Sequence, residues 1–212
     1  MEYRESSWNA ENSGMGKYRN LPFCCIFLIG INGVIFLIGL IMPRMGAYLE
    51  NAGCFSVFYL LYQGEFYRLV TAAFLHADAE HLLFNMLLLY FCGEIVEKSL
   101  GRCRLLILYL ISAVCGNLLS AAYELSTGSF YESIGSSGAV FGLTGALLFL
   151  VIVKKGAAAH ISMKRMVLAV LLSLYSGFSS PYVNNAAHIG GLLSGFLLAF
   201  LLSIIPPVLR RK

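Results

Sequence analysis

Six stretches of this chain are predominantly apolar: residues 21–42, 82–96, 105–123, 138–153, 166–178 and 186–206. A bilayer-crossing helix needs about 20 such residues, because each residue advances the chain only about 1.5 Å across a hydrocarbon layer about 30 Å thick. Several of the stretches approach that length. The second and fifth are short, and the second carries Asn85 and Glu94. The whole chain agrees with the local pattern. Hydrophobic residues make up 58% and charged residues 12%, against about 25% charged in soluble domains, and the mean hydropathy is +0.77. The expected fold is an all-α polytopic membrane protein, a bundle of six transmembrane helices in a lipid bilayer.

Charge orients the bundle. With six spans, Arg4, Lys17, Arg19, Lys98, Arg102, Arg104, Lys154, Lys155, Lys164, Arg165, Arg210, Arg211 and Lys212 fall on one side, leaving Arg44 and Arg68 on the other. By the positive-inside rule both termini are then cytoplasmic. Five spans would put the basic end Arg210-Arg211-Lys212 outside, so the charge pattern supports six. The net charge of +4 is thereby absorbed by topology. No basic face with interleaved aromatics suggests nucleic acid as a partner.

Residues 1–20 are polar and of mixed charge, and read as a cytoplasmic tail rather than a signal peptide. Residues 21–206 form the expected membrane domain, and 207–212 a basic cytoplasmic tail. Between the first two spans a long external loop, 43–75, contains the aromatic run Phe55-Ser56-Val57-Phe58-Tyr59-Leu60-Leu61-Tyr62. That run is too short to cross but suited to the outer interface. The six cysteines, Cys24, Cys25, Cys54, Cys92, Cys103 and Cys115, lack paired metal-site spacing and read as packing residues. No phosphate-binding glycine loop and no zinc-protease helix signature are present, so no cofactor and no metal are expected.

Polar residues in a span are costly and mark candidate sites. Gly135-Ser136-Ser137-Gly138 opens the fourth span and Ala187-His188-Ile189-Gly190-Gly191 the sixth; His81 and Asn85 lie one helical turn apart at the start of the second. Spans two, four and six all enter from the external side, so these four side chains share one depth. Attack by serine on an amide requires a base within about 2.6 to 3.2 Å and donors aimed at the oxyanion. Ser137 fits the nucleophile, His188 the general base, and the Ser137 backbone N–H with the side chains of His81 and Asn85 the oxyanion hole. No carboxylate lies near the start of either span to orient His188, which points to a dyad. The soluble G-x-S-x-G elbow does not fit, since Ala139 replaces its last glycine and no strand precedes the serine. Gly191 and Gly195 share a helical face with His188, and Gly138 and Gly142 form a matching small-residue face beside Ser137, which permits close approach of the two helices. Phe141, one turn below Ser137, is placed to stack on the imidazole.

Gly-x-Ser-Gly at the fourth span, Ala-His-x-x-Gly-x-x-x-Gly at the sixth and His-x-x-x-x-His-x-x-x-Asn at the second together resemble the rhomboid family of intramembrane serine proteases, over roughly 64–202. The resemblance implies catalytic Ser137 and His188, oxyanion donors His81 and Asn85, His76 as first histidine of the second-span motif, and Glu97 as a structural glutamate at the inner end of that span. It also implies a six-helix bundle in the plasma membrane with its active site open to the external face, and a mobile gate and flap formed by span five and the loop 179–185. The implied reaction is hydrolysis of peptide bonds in or beside transmembrane segments of membrane-protein substrates. The chain departs from the family pattern at Tyr67-Arg68, where many relatives have Trp-Arg, and at Asn184-Asn185, where Asp-Asn is frequent.

Other readings of the same residues exist. Singly, Ser137 is a small packing residue, His188 a hydrogen-bonded interior histidine, and His81 with Asn85 an interhelical clamp. Ser136 is the adjacent serine that only motif register distinguishes from Ser137. A rhomboid-like binder of transmembrane segments that does not cut them, or a small transporter using His81, Asn85 and His188 as a polar pathway, would also carry these residues. Intact Ser137 and His188 argue against the first. The second calls for ionisable groups at mid-membrane depth, whereas Glu94 and Glu97 lie near the inner surface.

Overall fold

A computed structural model describes residues 21–154, 156–178 and 183–205. The expected tails, 1–20 and 207–212, and most of the expected flap, 179–182, lie outside the described residues. The helices in order are α1 (Phe23–Ile41), α2 (Pro43–Gly53), α3 (Val57–Tyr62), α4 (Arg68–Thr71), α5 (Ala79–Leu100), α6 (Arg102–Thr127), α7 (Ser137–Ile152), α8 (Met163–Phe178) and α9 (Asn185–Ile204). Among the described residues there is no β-strand beyond an isolated bridge between Phe55 and Ser133.

Among the described residues four helices, α1, α5, α6 and α9, are long and apolar enough to cross a membrane, and α7 is a shorter apolar helix. At 16 residues, α7 spans about 24 Å. It is buried nearly all round, packed between α9, α6 and α5, and its apolar character on every side follows from that position. The expected second span begins earlier and ends later than its apolar core. Asp78 caps α5, accepting from the His81 N–H at 2.7 Å, and Gly101 closes it at a φ of 96°.

The segment expected as a loop between the first two spans is itself helical. Pro43 starts α2 at the first position, where its missing N–H costs nothing. Phe55, Val57, Leu60, Leu69 and Ala72 then form a satellite core against Ala121 of α6. Arg68, buried to 4% exposure, holds this segment together. Its Nη1 donates to the carbonyls of Asn51 (2.7 Å) and Cys54 (2.9 Å), its Nε to Glu65, and its guanidinium lies 3.9 Å from the Tyr59 ring centre.

Three charged side chains, Glu97, Arg102 and Arg104, fix which helix ends lie together. The Glu97 carboxylate, near the end of α5, accepts from the backbone N–H of Cys24 (3.2 Å) and Cys25 (2.9 Å) in the first turn of α1, satisfying amides that no helix can bond internally. Arg102 approaches the same carboxylate at 3.5 Å, and Arg104 donates to the Ile205 carbonyl at 2.7 Å beyond the end of α9. The start of α1, the end of α5, the start of α6 and the end of α9 therefore share one face of the bundle.

Candidate active site

The site lies at the opposite end, where α5, α7 and α9 begin. Ser137 is the first residue of α7, half-buried, so its backbone N–H belongs to the helix turn that lacks internal acceptors. The preceding turn is tightly built. Gly135 adopts a φ of 130°, and a Cβ there would lie 2.7 Å from Cε1 and 2.8 Å from Nε2 of His81. Only glycine meets both conditions, and its bareness lets the His81 ring rest against the backbone two residues before Ser137. The Gly135 N–H donates to the Ala72 carbonyl at 2.9 Å, anchoring the turn from the other side.

His188 reaches the same place from α9. Its ring stacks on Phe141 with centroids 4.2 Å apart and planes 8° from parallel. Phe141 lies one turn after Ser137 on the same face of α7, so the imidazole is held on the face that carries the serine. Glycines permit this. A Cβ on Gly191 would fall 2.0 Å from the Gly138 carbonyl oxygen, and one on Gly195 1.9 Å from that of Gly142, so α7 and α9 touch backbone to backbone. His188 is 8% exposed, and its Nδ1 is buried with no hydrogen-bond partner among the described residues. Asn85, one turn below His81, is 5% exposed, with Nδ2 likewise unpartnered.

His76 sits beside this group. Its ring meets that of His81 edge to face at 5.1 Å, and its Nε2 lies 3.2 Å from Ser136 Oγ. Burial first, and the neighbouring His81 second, push its pKa down to about 4, against a smaller opposing effect of Asp78. Ser136, fully buried, is therefore engaged in a structural contact, while Ser137 is the half-buried serine of the pair. Glu97 and Arg68 lie elsewhere, in the contacts described above. Ser137 also lines a cavity of about 20 Å³ with Asn117, Ser133 and Asn184 in its wall, enough for a single water. A larger cavity of about 370 Å³ runs between α1 and α2 up to His76 and Ile134.

Sequence reasoning did not see the polar cluster flanking the site. Asn184 caps α9 through Ala187 N–H (3.0 Å) and donates to Ser120 Oγ (2.7 Å) and Ser133 Oγ (2.9 Å). The one available signal was Asn184 itself, an Asx residue immediately before a helix. Among the described residues no three His, Cys, Asp or Glu side chains are grouped to hold a metal. Cys24, Cys25, Cys54 and Cys92 are buried, Cys115 is partly so, and Cys103 is exposed.

A bundle of membrane-length apolar helices, with Ser137 at the start of α7 and His188 stacked one turn further along it, is that of a multi-pass helical membrane protein. Comparison with known proteins gives the family. The Rhomboid domain profile matches residues 63–205. The chain is 35% identical over 145 residues to rhomboid protease GluP of Bacillus subtilis (strain 168), covering 68% of this chain and 28% of that protein. It is 35% identical over 138 residues to the putative rhomboid protease YdcA of the same organism, covering 65% and 68%. To RHOMBOID-like protein 1 of Arabidopsis thaliana it is 37% identical over 160 residues, covering 74% and 40%. The chain belongs to the rhomboid family, and the match spans well under half the length of GluP and of the Arabidopsis relative.

Proposed function

We propose that this chain is an intramembrane serine endopeptidase that hydrolyses peptide bonds in or next to transmembrane segments of other membrane proteins. The observation that carries the reading is His188 stacked on Phe141, one turn from Ser137, at a helix start flanked by His81 and Asn85. In this reading Ser137 Oγ attacks the scissile carbonyl while the His188 imidazole takes its proton and later returns it to the leaving amine. The oxyanion is met by the Ser137 N–H, the free Asn85 amide and His81, with the positive end of the α7 dipole behind them. The substrate must present an unwound backbone, because helical carbonyls are already bonded.

The membrane arrangement we propose has six spans, α7 and α8 joining the four longer helices. The start of α1 and the end of α9 share a face, which requires an even number of crossings, and the basic residues Lys98, Arg102 and Arg104 cluster there. By the positive-inside rule that face is cytoplasmic and the site opens externally, at the plasma membrane.

Fluorophosphonate labelling of the detergent-solubilised protein tests the reading without a known substrate. Wild type and Ser136→Ala are expected to label, and Ser137→Ala and His188→Ala to lose labelling. A folded wild-type protein that does not label would favour a rhomboid-family binder of transmembrane segments that does not cut them.

A further inference from the structure

The side-chain amide of Asn184 uses all of its hydrogen-bonding groups, and each goes to a different segment. Its Oδ1 accepts from Ala187 N–H at 3.0 Å in the first turn of α9; its Nδ2 donates to Ser120 Oγ of α6 at 2.7 Å and to Ser133 Oγ at 2.9 Å. The chain of bonds continues inward. Ser120 Oγ donates to Glu124 Oε1 at 2.9 Å, and Glu124 Oε2 accepts from Tyr131 N–H at 3.4 Å; Ser120 and Glu124 are fully buried. Ser133 is itself fixed, exchanging both backbone hydrogen bonds with Phe55 at 2.8 Å.

Two of these segments lead straight to the site. Ser133 lies four residues before Ser137, and His188 sits in the first turn of α9, its N–H donating to the Asn184 carbonyl at 3.2 Å. One amide thus references the turn carrying His188 and the approach to Ser137 to the same buried point on α6. Capping alone does not require this: an N-cap needs only a side-chain acceptor, which Asp or Ser would supply equally well. The two N–H donors are what Asn184 adds.

We propose that Asn184 is a positioning residue that sets His188 against the Ser137 segment through Ser120, Ser133 and Glu124. This inference rests on the reading of Ser137 and His188 as the dyad. Its energetic handle is the direction of the hydrogen bonds. Asn184→Asp keeps the cap but turns an acceptor toward a Ser120 hydroxyl already donating to Glu124. Adding Glu124→Gln reverses the chain: the glutamine amide donates to Ser120 Oγ, whose proton becomes free to bond the aspartate.

The test is the fluorophosphonate labelling rate of full-length protein in detergent, read beside the thermal midpoint. Asn184→Asp is expected to label about tenfold more slowly or worse, since misplacement of about 1 Å costs up to 10² in rate, with a midpoint lowered by only a few degrees, the cost of mispaired hydrogen bonds in a protein that stays folded. The double variant Asn184→Asp/Glu124→Gln is expected to regain most of the wild-type rate. Asn184→Asp labelling at the wild-type rate, or a loss unrelieved in the double variant, overturns the proposal. A second readout needs no activity: a Ser137→Cys/His188→Cys pair, cross-linked by a short bis-thiosulfonate and mapped by mass spectrometry, should link more slowly when Asn184→Ala is added. An unlabelled wild type counts against the dyad; an unchanged cross-linking rate counts against the positioning role.

Discussion

His76 carries a titration that acid pH should expose. In the folded protein its pKa is held down to about 4 by burial, and in an unfolded chain it returns to 6.5. The unfolded state therefore binds the extra proton between those values, so stability is full above about pH 6.5 and falls as pH drops toward 4, by at most about 3 kcal/mol from this residue. Thermal midpoints in detergent between pH 7 and pH 4 are expected to fall steeply for wild type and less steeply for His76→Gln, which can still bond Ser136. Equal slopes would show that the His76 proton is not part of the acid response. The same corner of the site shows what residue spacing encodes. His81 with Asn85 and Ser137 with Phe141 could be assigned to shared faces from sequence because the helical period turns an interval of four into neighbours, and Phe141, so placed beside Ser137, is the residue on which His188 stacks. The bonds from Asn184 to Ser120 and Ser133 could not be read in this way, because they join residues 64 and 51 positions apart, across three segments, where no periodicity applies; the Ser120–Glu124 pair is four apart on α6, but nothing local says that Asn184 joins it.

At the level of the elements, the α7–α9 seam is the most demanding contact in the bundle. Without a hydrophobic drive between helices in lipid, association depends on close packing, which small residues permit. Gly195 faces the backbone of Gly142, where a Cβ would meet the carbonyl oxygen at 1.9 Å and the carbonyl carbon at 2.5 Å. Backbone cannot rotate aside as a side chain can. Gly195→Ala is expected to destabilise by about 3 kcal/mol, the upper end of common overpacking costs, and to slow fluorophosphonate labelling by shifting His188. Gly33→Ala on α1, where no atom lies within 4 Å, is expected to leave the thermal midpoint unchanged or raise it slightly through better helix propensity. A Gly195→Ala protein as stable and as reactive as wild type would refute the seam as described. Glycine spacing announced this seam in the sequence. The short helices α2, α3 and α4 were not announced, because at 11, 6 and 4 residues they are far below spanning length, and the apolar residues around them divide between a buried set against α6 and an exposed set that includes Phe58, Leu61 and Tyr62. Helix ends were likewise misjudged wherever a cap such as Asp78, and not the last apolar residue, sets the boundary.

For the molecule as a whole, polar contacts at the two faces divide the labour. One face is held by Glu97 on the first turn of α1, with Arg102 beside it, and by Arg104 on the end of α9; the other holds His81, Ser137 and His188. A helix-starting carboxylate contact of this kind combines unpaired amides with the positive end of the helix dipole, so it fixes the direction of α1 as well as its depth. Because α1 begins and α9 ends on the same face, a single measurement at each face orients the entire chain. Cys103 is exposed beside Arg102 and Arg104, and Glu80, exposed at the start of α5, provides a position at the site face. In spheroplasts of an expression host, a membrane-impermeant maleimide is expected to label Glu80→Cys in a Cys103→Ser background and to leave Cys103 of the unaltered protein untouched until the membrane is permeabilised. The reverse pattern would place the site in the cytoplasm, against the basic cluster that the positive-inside rule assigns there. Labelling of both positions without permeabilisation would mean that the two faces are not separated by the bilayer, and that the bundle does not span it in the way proposed.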